Sequence, residues 1–333
     1  MMNSAVSANS GNKAQSVFGS TWVRVAAFVA VAVFLVVAPF FIYPVFLMKA
    51  LCFALFACAF NLLLGYCGLL SFGHAAYFGS AAYICGYAAK TLGLTPELSI
   101  LAGTAASALL GAGFGWLAIR RQGIYFSMIT LALSQMVFFF ALQAPFTGGE
   151  DGMQAIPRGH LFGLIDLNNT YAMYGFVLVV FLIGFGIIWR AVESPFGQVL
   201  RAIRDNEPRA ISLGYKANRY KLLAFTLSAA LAGLAGSTKA LVFQLASLTD
   251  VHWAMSGEVV LMTLIGGMGT IFGPVAGAVV VVAMQNYLAH LGSWVMMIQG
   301  ATFIACVLLF RAGIVGTISA YFRGRKGDVP GSH

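Results

Sequence analysis

The chain reads as an all-α, polytopic helical membrane protein with about ten transmembrane segments, and three observations predict it. Of its 333 residues, 60% are hydrophobic and 9% charged, against roughly 45–50% and 25% in soluble domains. The mean hydropathy is +0.88, an excess that a soluble fold could accommodate only by exposing large apolar patches. Glycine supplies 38 residues, which suits helices that approach one another closely in lipid. This composition excludes a cytosolic enzyme, a nucleic-acid-binding domain and a disordered regulator. The net charge of +9 reads as basic loops on the cytoplasmic side, not as a nucleic-acid footprint.

Residues 1–20 are polar and small, with Lys13 their only charge, and form an expected cytoplasmic tail. No short apolar core with a small-residue cleavage site marks a cleaved signal peptide. A hydrocarbon core about 30 Å thick takes roughly 20 apolar residues. Such runs fall near 22–43, 45–66, 73–92, 98–119, 122–145, 171–190, 219–241, 256–270, 273–290 and 294–311. The run at 256–270 is short and ends in Gly266-Gly267-Met268-Gly269. It fits a half-helix or re-entrant segment, which is tolerated only where protein or a cavity surrounds it. An eight-span alternative has 256–290 dip into the membrane without crossing. With the N-terminus inside, all Lys and Arg except Lys49, Lys90, Arg158 and Lys239 fall on the cytoplasmic side. The positive-inside rule therefore favours an even number of spans with both termini cytoplasmic. Residues 21–312 form one membrane domain, followed by a basic tail at 313–333. Two connections are long: an outer loop at 146–170, richer in acids than bases, and a hydrophilic inner loop at 191–218.

Catalytic groupings are missing. Gly233 to Lys239 has the wrong spacing for a phosphate-binding loop, and no HExxH or GxSxG occurs. The five cysteines, Cys52, Cys58, Cys67, Cys85 and Cys306, and the five histidines show no ligand spacing, so no metal site is expected. No span carries an arginine ladder or a central carboxylate pair. The driving energy is therefore expected from outside this chain.

Two glycine motifs remain, Gly65-Tyr66-Cys67-Gly68-Leu69-Leu70-Ser71-Phe72-Gly73-His74 and Gly266-Gly267-Met268-Gly269-Thr270-Ile271-Phe272-Gly273-Pro274. They resemble each other, a pseudo-repeat of two halves. Paired interruptions of this kind point to a transport pathway at a repeat interface, although tight turns and close helix crossings need the same residues. The pathway candidates are Asn61, Ser71, His74, Tyr125, Thr130, Gly266, Gly267 and Gly269, with Ser127 and Ser134 adding mild polarity. His74 fits a hydrogen-bonded helix-start residue better than a proton carrier. Such lining suits a small neutral or zwitterionic solute.

In the inner loop, Pro195 suits the first turn of a helix, and helical spacing brings Arg201, Arg204 and Asp205 to one face. Pro208 interrupts this piece, and Gly214 fits the position after a second short helix at 209–213. The pair can serve as a docking element or as a basic patch on anionic headgroups.

Ser194-Pro195-Phe196-Gly197, Arg201-Ala202-Ile203-Arg204-Asp205-Asn206-Glu207, Gly214, Arg219 to Phe225 and Ala232-Gly233-Leu234-Ala235-Gly236 together resemble one family. It is the permease subunits of branched-chain amino acid ABC importers, in particular the M-type of the two paired permeases. Leu70 to Gly79, Thr147-Gly148-Gly149 with Asp151-Gly152, Ile156-Pro157-Arg158 and the second glycine motif are similar too, so the likeness runs from about 55 to 315. The resemblance implies a heterodimer with a second permease in the bacterial inner membrane, two cytoplasmic ATPases and a periplasmic binding protein. ATP and Mg then belong to the ATPases, and this chain has no cofactor and is no enzyme. It further implies that Glu193, Pro195, Gly197, Arg201, Arg204, Asp205, Glu207 and Gly214 seat in an ATPase groove. Glu150 and Asp151 would face the binding protein. Urea and short-amide permeases are relatives, and a stand-alone secondary transporter or channel is the reading from another class.

Overall fold

A computed structural model describes residues 37–309, except 162, 164, 290, 291 and 293, together with residue 313. The tail at 1–20, most of the expected span 22–43, the tail beyond 313 and the side of both termini lie outside the described residues. The remaining chain folds as helices that follow the apolar runs. In order they are α1 (Pro44–Asn61), α2 (His74–Lys90), α3 (Pro96–Ala118), α4 (Ile124–Gln143), α5 (Thr170–Glu193), α6 (Pro195–Asp205), α7 (Glu207–Ser212), α8 (Ala217–Phe243), α9 (Trp253–Gly266), α10 (Gly273–Tyr287) and α11 (Trp294–Leu309). Proline occupies the first turn of α1, α3, α6, α7 and α10, where its missing N–H has no intrahelical partner to lose. Asn169 caps α5 by accepting from Tyr171 N.

Among the described residues, five segments are long and apolar enough to cross a membrane: Pro44–Cys67, which extends α1 by one turn, and α3, α4, α5 and α8. The helices α2, α9, α10 and α11 are shorter, with 17, 14, 15 and 16 residues. Helices α9 and α10 form a tight hairpin about the second glycine motif. A Cβ at Gly266 would lie 1.9 Å from Gly273 O, and one at Gly277 1.8 Å from Met262 O.

Two segments form the centre: 89% of the apolar window of Pro44–Cys67 and 72% of that of α8 are buried, against 33% for α4. Helix α8 packs on α1, α2 and α3, and small residues set the distance. A Cβ at Gly111 would meet Ala229 Cβ at 2.3 Å, and one at Gly236 would meet Phe78 O at 2.0 Å. Ser107 Oγ donates to Ala229 O at 2.6 Å and Ser237 Oγ to Ala81 O at 3.2 Å. Lipid is as apolar as these side chains, so such close packing and inter-helix hydrogen bonds hold the bundle together.

Short strands join the helical architecture. In the loop after α4, β1 (Met153–Gln154) pairs with β4 (Leu245–Ala246), which follows α8, and β2 (His160–Leu161) pairs with β3 (Ile165–Asp166), both antiparallel. Arg158 anchors this loop by donating to Leu241 O at 3.3 Å and Val242 O at 2.7 Å at the end of α8, where orphan carbonyls attract a cation. Lys90 Nζ donates to Gln154 O at 2.8 Å. The Asn168 backbone N–H donates to Asp166 and holds its exposed carboxyl below the usual range.

Candidate functional site

The site begins where α1 stops being regular. At Leu62 the helix widens into a π turn through Cys67, and Gly68 ends it at φ 75°. A side chain there is doubly excluded: the left-handed conformation costs about 1–2 kcal/mol, and a Cβ would stand 2.7 Å from Arg204 Cγ. The chain then runs unwound to His74, tied down by α4. Ser127 Oγ donates to Leu70 O at 2.7 Å, and Phe72 N donates to Thr130 Oγ1 at 3.2 Å. Gly73 N donates to Ser71 Oγ at 3.2 Å.

His74 starts α2 fully buried, ringed edge-on by Phe60, Tyr77 and Phe225. Ser228 Oγ donates to Ala59 O at 2.5 Å, so the 2.8 Å contact between His74 Nε2 and Ser228 Oγ has the imidazole as donor. Nδ1 then has no hydrogen-bond partner among the described residues.

The second glycine motif mirrors the first. Helix α9 ends at Gly266, Gly267 and Gly269 take φ 115° and 72°, and α10 starts at Gly273. Asn61 joins the two motifs: its Oδ1 accepts from Gly269 N at 3.0 Å, and its Nδ2 donates to Thr270 O at 2.9 Å. Two backbone groups of the second motif are thereby paired, which lipid could not do.

The loop at 194–216 reaches this junction from outside the bundle. Helices α6 and α7 are joined at Asn206, whose side chain accepts from Arg209 N at 3.0 Å, and Gly214 follows α7 at φ 91°. The second helix thus starts at Glu207, earlier than the expected 209, because Asn206 caps it. Arg204 Nη1 donates to Gly65 O, a carbonyl in the π turn. Arg204 also pairs with Asp205 at 3.3 Å. Arg201 donates to Val192 O at 3.3 Å and lies 5.3 Å from the Tyr66 ring centroid. Glu207 accepts from Lys221 at 2.6 Å and from Gln122 at 2.8 Å. Gly197 packs on the end of α5, where a Cβ would lie 2.2 Å from Val192 O, next to Glu193 and Pro195.

The predicted site residues separate into three groups. Asn61, Gly266, Gly267, Gly269 and Arg204 meet at one junction. Ser71, His74 and Thr130 are buried beside it, with Ser71 and Thr130 serving backbone groups rather than open space. Tyr125 is 68% exposed near the start of α4, the least buried of the five long segments. Glu150 and Asp151 are exposed in a 3₁₀ turn at the far end of α5, whose 24 residues span about 36 Å.

Reading the sequence alone missed Gln122 and Lys221, which hold Glu207, and the apolar tip of the loop, where Ile211 and Leu213 are 55% and 70% exposed. The tip left a signal, apolar residues in a hydrophilic loop. Gln122 and Lys221 left none, being paired with Glu207 only in three dimensions.

A multi-pass helical bundle with two clasped glycine interruptions, gripped from outside by a two-helix loop, defines a membrane transport protein. The model of the family described as "Branched-chain amino acid transport system / permease component" matches residues 42–307, and the chain belongs to that family. It is 26% identical over 294 residues to the high-affinity branched-chain amino acid transport system permease protein LivM of Salmonella typhimurium, covering 81% of this chain and 69% of that protein. To BraD of Pseudomonas aeruginosa, a permease protein of the same description, it is 24% identical over 284 residues, 79% of this chain and 91% of that one. The ribose import permease protein RbsC of Bacillus subtilis is 26% identical over 196 residues, 54% of this chain and 58% of its own. No solved structure matches the chain.

Proposed function

We propose that the chain works in the bacterial inner membrane as a permease subunit of an ATP-driven importer for branched-chain or related amino acids. It pairs with a second, homologous permease. A periplasmic binding protein delivers the solute to the face carrying Glu150 and Asp151. Two cytoplasmic ATPases hold ATP and Mg and receive the loop at 194–216, with Ile211 and Leu213 as its apolar tip. This chain itself carries no catalytic group in the cycle.

The reach of Arg204 from the loop to Gly65 O carries this reading. Closing the ATPase pair moves α6, and Arg204 passes that movement to the π turn. Asn61 then passes it to Gly269 and Thr270. The bundle exchanges one packing for another because close-packed helices have discrete arrangements. The ion pair of Lys221 with Glu207 makes the loop move with α8 as a unit.

The test is Arg204→Glu and Glu207→Lys in cells, measuring uptake alongside membrane abundance and the ATPases that co-purify. Uptake falls about tenfold or more, the effect of roughly 1.4 kcal/mol of lost coupling, while the protein still reaches the membrane. Unchanged uptake in both variants overturns the coupling role.

A further inference from the structure

Where α3 ends and α8 begins, at the end of the bundle that carries the loop at 194–216, the two helices share a cavity of about 220 Å³. They lie close here because Gly115 has no side chain: a Cβ would stand 2.9 Å from Phe225 Cδ1. The lining is of two kinds. Trp116, Ile119 and Leu222 are apolar, whereas Arg120, Asn218 and Arg219 are polar and exposed. The Arg120 guanidinium lies over the Trp116 ring, 4.3 Å from its centroid, and Trp116 is itself 57% exposed. An exposed tryptophan beneath an arginine suits the level where hydrocarbon gives way to headgroups.

Among the described residues neither Arg120 nor Arg219 forms an ion pair. The acids of the neighbouring loop are engaged elsewhere, Asp205 with Arg204 and Glu207 with Lys221 and Gln122. Away from these cations α3 stays bare. Trp116, Gly113 and Leu109 follow at helical spacing on one face; Leu109 is 74% exposed, and a Cβ at Gly113 would meet nothing within 4 Å. Gly113 and Leu109 also line a larger apolar cavity of about 700 Å³, shared with Met136 and Phe140 of α4 and reaching Ala106. The rise from Trp116 to Ala106 is about 15 Å, half of a hydrocarbon core about 30 Å thick. Two unpaired cations above an apolar path of one leaflet's depth fit a molecule with an anionic head and a hydrocarbon tail.

We propose that this face binds one anionic phospholipid. Arg120 and Arg219 hold the phosphate, with Asn218 as a further donor, and one acyl chain passes Trp116 and follows the bare face of α3 into the larger cavity. The site needs only the membrane class of the chain and stands apart from the importer reading.

The experiment is native mass spectrometry and thermal stabilisation of the full-length chain, delipidated in detergent with its co-purifying subunits. It is titrated with dioleoylphosphatidylglycerol, dioleoylphosphatidylcholine or inorganic phosphate. Phosphatidylglycerol is retained as one tightly held copy and raises the melting temperature; the other two do neither. Arg120→Gln and Arg219→Gln each weaken its binding about tenfold, as expected for loss of one charged hydrogen bond, and the double variant retains no copy. Arg121→Gln removes the same charge one position outside the cavity and binds as the wild type does. Gly113→Phe alters no charge and weakens binding by narrowing the path of the tail. The three arginines are exposed, so their variants melt near the wild type without lipid.

Equal effects of phosphatidylglycerol and phosphatidylcholine, an equal effect of inorganic phosphate, wild-type affinity in the double variant, or an equal loss in Arg121→Gln overturns the site. Arginine variants that shed a co-purifying subunit and keep the lipid show that the cations dock protein, which overturns it too.

Discussion

Arg204 is the side chain on which most contacts of the site converge. It donates to Gly65 O, pairs with Asp205 and fills the space over Gly68. Gly68→Ala therefore acts twice, through a strained left-handed backbone of about 1–2 kcal/mol and through displacement of Arg204. Uptake falls more than the loss of membrane-inserted protein accounts for, measured by labelled-solute uptake normalised to immunoblot. Asn61→Ala leaves Gly269 N and Thr270 O without their partner. Each buried group so orphaned costs about 1–3 kcal/mol, visible as a lower melting temperature in detergent; an unchanged melting temperature refutes the clasp. The sequence drew attention to Asn61, Gly269 and Arg204 individually, each by type and place. Their meeting is invisible there because Asn61 and Gly269 are 208 positions apart.

At the scale of elements, the loop at 194–216 is a small folded unit. Ile203, Ala210 and Ala217 form their own apolar cluster with Val199 and Tyr220, and Phe196 stacks on Tyr220 at 6.0 Å. The buried ammonium of Lys221 holds Glu207 against α8. Removing one member of a buried pair costs about 3–5 kcal/mol, because the remaining charge stays buried. Lys221→Met thus frees the loop, seen as faster protease cleavage between 191 and 218 in inside-out vesicles. The exchanged pair Lys221→Glu with Glu207→Lys slows cleavage again; no recovery shows that the pair does not hold the loop. The helices of this loop were legible from Pro195, Pro208 and Gly214. The exposure of Ile211 and Leu213 was not, since helical spacing alone does not say which face the bundle covers.

For the whole molecule, the long helix α5 separates the acidic turn Gly149–Asp151 from the loop at 194–216. In a chain stripped of native cysteines, Glu150→Cys reacts with a membrane-impermeant maleimide in intact spheroplasts, whereas Leu213→Cys reacts only after permeabilisation. Labelling of both from the same side contradicts the proposed orientation. Nearly every apolar run of the described chain became a helix, because in lipid each backbone N–H and C=O must be paired within its own segment. The outer loop escaped prediction: its strands are two residues long, and β1 pairs with a strand far along the chain, Met153 with Ala246, 93 positions away.

The sequence by itself determined the membrane class, the approximate helices, the two glycine interruptions and the family likeness. These follow from local composition and spacing, to which hydrophobicity and backbone hydrogen bonding respond directly. Only the tertiary structure decided that Asn61 ties the second interruption to the end of α1, that Arg204 grips the π turn, and that Tyr125 is exposed. Those relations depend on which helix faces which, and close packing sets that through contacts between residues far apart in the chain.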